Sequence, residues 1–547
     1  MGTLLDRNDA SFFSTLTPDT GRLRKLHPTS GHGRDARSCI PPLLHPLRLG
    51  HPHPESLHHR ITMIELGLQR ISRLLAETSL PWRAIHVAGT NGKGSICAYV
   101  SSMLETYNKS DWRRSTCLRA LKHARFTSPH LVDRWDCITL DQQVVPFKLF
   151  SRIEQAVLQR NDQEAIRASE FELLTATAFE VFTHEDVDVA VVEVGLGGRL
   201  DATNVIGQAS NSSSQLGIAE ANAFRPPPLV TAISKIGLDH QALLGNTLRE
   251  IASQKAGIMK SGVPVVYDLS NADEVKTELH ARANLNRVVT WADAELPTRF
   301  LDPDLKHAFF ADELATAPTI PDPTSRTPDH IRSNMSVAFR AAWTALQRLN
   351  RVPSDYDHLQ PNELTTLGDL APSMIRNASQ HARVPGRLQP LSIEALTGRT
   401  QDILLDGAHN AQSAEVLAAQ VDKLRASHQQ QASHSGVTWV LACSSTKDVS
   451  EMLRILLRPG DKVFAVEFGS VDGMPWVEPL GSEKIVEAVE SVPAIAGQVE
   501  AVACGRDVTS AMRRASNAAE GGPMVVAGSL YLVGDVLRLL RDGIART

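Results

Sequence analysis

The chain has 547 residues, 42% of them apolar and 21% charged, with a formal net charge of −5. That length exceeds one ordinary core and calls for two or more domains, while the missing basic excess argues against nucleic acid as a partner and no apolar run is long enough to span a bilayer. Six cysteines (Cys39, Cys97, Cys117, Cys137, Cys443 and Cys504) follow neither metal-ligand spacing nor a disulfide framework.

Residues 1–61 are rich in His, Pro, Gly and Arg without a period of 3.6 or 2, so little packed structure is expected there. Two readings stay open. One is an organellar leader, against which Asp6, Asp9, Asp19, Asp35 and Glu55 count; the other is a stretch included by a wrong start. A leader implies mitochondrial copies, and otherwise a cytoplasmic protein is expected. Ordered sequence is expected from Met63, where Leu66, Ile71, Leu74 and Leu75 share a helical face.

From Trp82 short apolar runs alternate with helical stretches. Strand 84–89 leads through a Gly-rich turn into helix 95–107, and helices follow at 151–160 and 171–184. Residues 187–195, "VDVAVVEVG", form the continuous apolar run of an inner parallel strand. Two more strands, 227–237 and 262–268, flank the helix 246–260, which is doubly wound α/β order. Residues 207–227 read as an exposed loop insertion. After the helix 330–349 comes a Pro- and Asp-containing stretch, to about Ala382, with no assigned element. The alternation then restarts, with strands at 402–407, 436–444 and 462–468, helices at 410–426, 449–457 and 482–492, and a final apolar-rich stretch at 523–542. The expected division is 62–383 and a smaller α/β domain, 384–547.

The first strand ends in "AGTNGKGS". Gly89, Gly92 and Gly94 let backbone N–H groups approach an anion, the helix start adds its dipole, and Lys93 supplies a positive charge. The usual P-loop spacing fails, because position 87 is Val and Gly94 stands where a hydroxyl belongs, with Ser95 one place late. The residues alone therefore give an ATP or GTP site with metal ligands unresolved.

Other polar groups end apolar strands, where α/β ligands bind. Ser128, Pro129 and His130 follow one strand, Glu193 ends another, and Asp239 and His240 follow a third. A carboxylate buried there needs a partner or a metal; Glu193 either pairs with Arg199, caps a helix, or joins Ser128 and His240 around Mg²⁺, an ion that prefers oxygen to imidazole. Lys255 shares a face with Ile251 and Ala252 and points inward, while Lys260 reads as solvated. Whether Lys255 is a snorkelling stem or a buried, modified amine, composition does not decide. In the second half, Asp406, His409 and Asn410 follow a strand, Asn410 also being placed to cap the next helix. Arg387 sits at the expected domain junction, either solvated or reaching a phosphate.

Taken together, "HVAGTNGKGS", "FTSPHL", "VVEVGLGGRLDATNV", "IGLDH…LGNTLREIASQKAGIMK", "VPGR", "LLDGAHN" and "GSLYLVGDV" resemble the folylpolyglutamate synthase/dihydrofolate synthase family, relatives of the Mur ligases. The likeness covers about residues 63–547. It implies a P-loop, Mur-ligase-like central domain followed by a smaller Rossmann-like C-terminal domain. It places ATP phosphates on Gly92, Lys93, Gly94 and Ser95, with further nucleotide contacts from Asn334, Arg387 and Asp406. It places Mg²⁺ on Ser128, Glu193 and His240, and a second ion on Lys255 as its carbamate. Lys93, Lys255 and His409 are the expected catalytic groups, His409 orienting glutamate or helping to manage its amine proton. The implied partners are small molecules: L-glutamate and either 7,8-dihydropteroate or a reduced folate. The family's habit is a monomer. "FTSPHLVDRWDCITL", "SEFELLTATAFEVF" and "VDGMPWVEP" resemble the monofunctional fungal dihydrofolate synthases. Two departures stand out: the family's "HQ" is His330–Ile331, and its "ER" is Asp136–Cys137, a lost arginine expected to mark substrate specialisation.

Overall fold

A computed structural model describes residues 66–208, 224–286, 328–355, 358–382, 384–429, 436–474 and 476–544. The expected leader, the start at Met63 and most of the 207–227 insertion lie outside the described residues. The first helix, Gln69–Leu74, buries Ile71 and Leu74 as the spacing predicts, with Leu75 buried just beyond.

Seven strands form the first sheet: β1 (Arg83–Ala88), β2 (His123–Phe126), β3 (Ile138–Leu140), β4 (Gln143–Val144), β5 (Val189–Glu193), β6 (Val230–Ile233) and β7 (Val265–Tyr267). Their order is β4-β3-β2-β5-β1-β6-β7. All neighbours are parallel except the hairpin edge β3–β4 and its pairing with β2. β5 is buried along its whole length, as its unbroken apolar run requires. Because β1 lies between β5 and β6, the winding reverses at β1, and the crevice at its C-terminal end is where such sheets bind ligands.

The second sheet comprises β8 (Gln389–Leu391), β9 (Ile403–Leu405), β10 (Thr438–Leu441), β11 (Lys462–Ala465), β12 (Glu500–Ala503) and β13 (Met524–Ala527), in the order β12-β11-β10-β13-β9-β8. β8 alone runs antiparallel. The edge strands β8 and β12 and the helix Val508–Ala518 were not expected. Both strands are half-exposed and lack a buried apolar stripe.

The clearest correction concerns the stretch before Ala382. Residues Pro361–His381 form a helix whose buried Leu367, Leu370, Met374 and Ala378 recur at helical spacing. It packs on the helix Lys93–Lys109, alongside the helix Asp329–Arg348, over a core that includes Ile96, Val100, Met103 and Tyr107. Pro361 occupies a first-turn position where proline is favoured, and the Glu363 carboxylate accepts the Gln360 N–H at 2.8 Å. Pro372, inside the helix, disguised it. Lys260 is a second correction: it is half-buried rather than solvated, its Nζ donating to the Asn204 carbonyl at 3.3 Å. Among the described residues, no helix is long and apolar enough to cross a membrane.

Candidate nucleotide and metal site

The turn after β1 is shaped by glycine. Gly89 has φ +145°, and a Cβ there would lie 1.8 Å from Ser234 Oγ. Gly92 has φ +91°, and its Cβ would lie 2.2 Å from Asn334 Oδ1. Asn334, from the helix Asp329–Arg348, is thus packed on the loop. The N–H groups of Thr90 and Asn91 donate to Lys235 O at 2.9 and 3.2 Å, tying the loop to the end of β6. Lys93 opens the next helix, Gly94 and Ser95 complete its first turn, and Lys93 Nζ donates to Thr90 O at 3.1 Å.

Glu193, at the end of β5, is 5% exposed. One oxygen stands 4.0 Å from Lys93 Nζ, and the other accepts the Ser128 N–H at 3.2 Å. Burial raises its pKa, and Lys93, the Ser128 N–H, Arg387 and Arg125 oppose that rise. Arg199 is not its partner; that guanidinium donates to Gln254. Arg387, from the second half of the chain, therefore lies close enough to act on Glu193 electrostatically.

Lys255 is 5% exposed among apolar neighbours, with Nζ donating to Gly89 O at 2.7 Å. Burial, reinforced by Lys93, pushes its pKa down to about 7. This is a buried amine rather than a snorkelling stem. His240 sits at φ +52°, about half exposed, with Asp239 as its carboxylate neighbour at 3.9 Å. Ser128 and Glu193 are thus together, and His240 lies beside a different carboxylate. Among the described residues, no three His, Cys, Asp or Glu side chains stand close enough to hold a metal by themselves. A buried carboxylate and a hydroxyl are oxygen donors of the kind a hard divalent cation takes, whereas the His240 imidazole is not.

From the second sheet, Asp406 follows β9 and is 6% exposed. Its oxygens accept the N–H groups of Leu388 and Ala408 at 2.7 and 2.8 Å, so it organises the turn that carries Arg387. His409 Nδ1 lies 2.8 Å from Gly407 O, which makes Nδ1 the protonated nitrogen and leaves Nε2 with a free lone pair. Burial and Lys447 push its pKa down to about 4. Asn410 does cap the following helix, its Oδ1 accepting the Ser413 N–H at 2.9 Å, and it also donates to Asp239 at 3.2 Å. Sequence reasoning missed Asn91, which donates to Gln412 Oε1 at 2.6 Å, and Lys447, 2.6 Å from Asp239. Lys447 had a signal: it is a cation just beyond β10, the kind of position that drew attention to Glu193.

The profile of the family described as "Dihydrofolate synthetase, C-terminal domain" matches residues 389–539. A probable dihydrofolate synthetase of Schizosaccharomyces pombe is 33% identical over 488 residues, covering 87% of this chain and 99% of that protein. The dihydrofolate synthetase of Saccharomyces cerevisiae is 32% identical over 87% of this chain and 98% of its own length. Among solved structures, a bifunctional folylpolyglutamate synthase/dihydrofolate synthase from Yersinia pestis, complexed with AMPPNP and a Mn ion, matches with a TM-score of 0.59 and 23% identity, over 88% of this chain and 96% of that one. With two fungal relatives matched along nearly their full lengths, this chain belongs to the dihydrofolate synthase/folylpolyglutamate synthase family of ATP-dependent folate–glutamate ligases.

Proposed function

We propose that the chain is a dihydrofolate synthase, which uses ATP to join L-glutamate to 7,8-dihydropteroate. The near full-length match to two fungal dihydrofolate synthetases carries this reading. The pteroate carboxylate oxygen attacks the γ-phosphorus, giving an acyl phosphate and ADP. The glutamate α-amine then attacks the acyl carbon, the amide forms, and phosphate and a proton leave.

In this reading Gly92, Lys93, Gly94 and Ser95 hold the ATP phosphates, and Asn334, Arg387 and Asp406 complete the nucleotide site. Lys93 and Arg387 offset charge on the transferred phosphoryl group. Ser128, Glu193 and His240 would hold one Mg²⁺ and Lys255, as its carbamate, a second; bound there, the ions neutralise phosphate oxygens. Carbamylation requires a neutral amine, and a pKa lowered to about 7 supplies one near neutral pH. The free lone pair of His409 Nε2 suits it to accept an N–H of glutamate. The two sheets would correspond to ligase domains 62–383 and 384–547, in a monomeric, cytoplasmic enzyme.

A second reading, a folylpolyglutamate synthase or bifunctional enzyme, draws on the bifunctional Yersinia relative. Purified protein given ATP, Mg²⁺, glutamate and either 7,8-dihydropteroate or tetrahydrofolate separates the two. Glutamate addition to dihydropteroate alone is expected; addition to tetrahydrofolate alone overturns the proposal.

A further inference from the structure

Among the described residues, two places where the halves of the chain meet differ in kind. Away from the site, the helix Leu530–Ile544 meets residues 131–133. Gly534 approaches so closely that a Cβ would lie 2.0 Å from Leu131 O. Arg538 donates to Val132 O at 2.9 Å, and Arg541 pairs with Asp133 at 2.6 Å. The Gly534 contact has backbone atoms on both sides and the Arg538 contact on one, so this region is hard to separate and suits a pivot.

At the site the hydrogen bonds between the halves are between side chains. Asp239, its side chain 12% exposed, receives Lys447 Nζ at 2.6 Å and Asn410 Nδ2 at 3.2 Å, and His409 Nε2 stands 3.8 Å away. Beside it Asn91, from the phosphate loop, donates to Gln412 Oε1 at 2.6 Å. Such contacts part without distorting either half. Of these site contacts the Asp239–Lys447 pair is the one formed between full charges, and it lies beside His240 and His409. We propose that Asp239 and Lys447 form the closing latch of the reaction chamber, a positioning pair that shields the acyl phosphate from water until the amine arrives. The inference rests on the ligase chemistry proposed above. With the latch broken, water takes the place of the amine: its oxygen attacks the acyl carbon, phosphate leaves and the carboxylate is regenerated, so ATP and water give ADP and phosphate with no amide.

The test measures phosphate released per amide formed, with ATP, Mg²⁺, glutamate and dihydropteroate, in the wild type and in Lys447→Met, Lys447→Arg and Asp239→Asn. The wild type and Lys447→Arg, which keeps the pair, are expected near one. Lys447→Met and Asp239→Asn are expected to exceed one, while kcat/KM for glutamate falls about 10-fold, the effect of one lost charge-assisted hydrogen bond. A ratio that stays at one in both, or folded variants that release neither amide nor phosphate, overturns the latch. A wild-type chain that forms no amide with either acceptor overturns instead the functional reading.

Discussion

Lys255 Nζ donates to the carbonyl oxygen of Gly89 at 2.7 Å, so a buried amine closes the root of the phosphate loop. Desolvation, with Lys93 adding repulsion, lowers its pKa to about 7. Such an amine is neutral often enough to take up CO₂. Protein equilibrated with ¹³C-bicarbonate should show a carbamate resonance that Lys255→Arg lacks. Lys255→Ala should reduce kcat by about 100-fold or more if it removes a metal ligand. A fully active Lys255→Ala enzyme removes the second ion from the mechanism.

Glu193 combines cost and use in one residue. Burial acts against its charged form, and Lys93 at 4.0 Å offsets only part of that. Replacing the carboxylate by an amide of the same shape removes the cost of burying a charge. Glu193→Gln should therefore match or exceed the wild type in urea midpoint without metal, while losing at least about 100-fold in kcat. A fall in both quantities would make Glu193 chiefly a structural residue.

Gly92 separates steric from chemical effects. Its φ of +91° strains any other residue, and a Cβ would lie 2.2 Å from Asn334 Oδ1. Gly92→Ala should weaken ADP binding about 10-fold or more, by calorimetric titration. Adding Asn334→Ala removes the clash but not the strain, so it should recover only part of the loss. Full recovery would mean that contact, rather than backbone geometry, excludes alanine.

A buried histidine in β1 should make the fold sensitive to acid. His86 is fully buried, its Nε2 2.9 Å from Thr203 Oγ1 and its Nδ1 without a hydrogen-bond partner. Burial, aided by Lys260, pushes its pKa down to about 3. The unfolded chain binds a proton near pH 6.5 and the folded chain does not until about 3, so the unfolded state holds more protons between those values. Stability contributed by the neutral ring is complete above pH 6.5 and falls as pH drops toward 3. At pH 5 the loss is about 2 kcal/mol. Urea midpoints of the wild type and His86→Gln at pH 7.5 and 5 check this; the variant should show the smaller decline, and equal declines would exonerate His86.

Where the apolar pattern was unambiguous, the fold was legible: β5 is a run of Val and Ala, and β1 leads into a glycine turn that only a close backbone approach explains. The helix Pro361–His381 was hidden because Pro372 breaks the local rule, and packing on the helix Lys93–Lys109 overrides it. In the site, the strand-end carboxylates and the loop could be placed from spacing alone. Lys255 could not, because an inward-facing amine and a snorkelling one share the same spacing. The Asp239–Lys447 pair was invisible for a different reason: its members lie 208 residues apart and meet only when the two sheets face each other.

The last case concerns the family's "ER", here Asp136–Cys137, whose missing arginine the sequence presented as a mark of substrate choice. Asp136 accepts the backbone N–H groups of Leu131, Val132 and Asp133 at 3.0, 2.6 and 3.0 Å. The same turn supplies Leu131 O and Val132 O to the helix Leu530–Ile544. Asp136→Ala should therefore cost about 2 kcal/mol in urea unfolding, as charge-assisted hydrogen bonds are lost. Cys137 is 2% exposed, and its Sγ donates to Arg134 O at 3.1 Å. An arginine there would bury a charge in a site shaped for a thiol, so Cys137→Arg should cost about 3 kcal/mol or more. That outcome makes the departure one of packing. A Cys137→Arg enzyme of unchanged stability that gained activity on tetrahydrofolate would instead make position 137 a determinant of the acceptor.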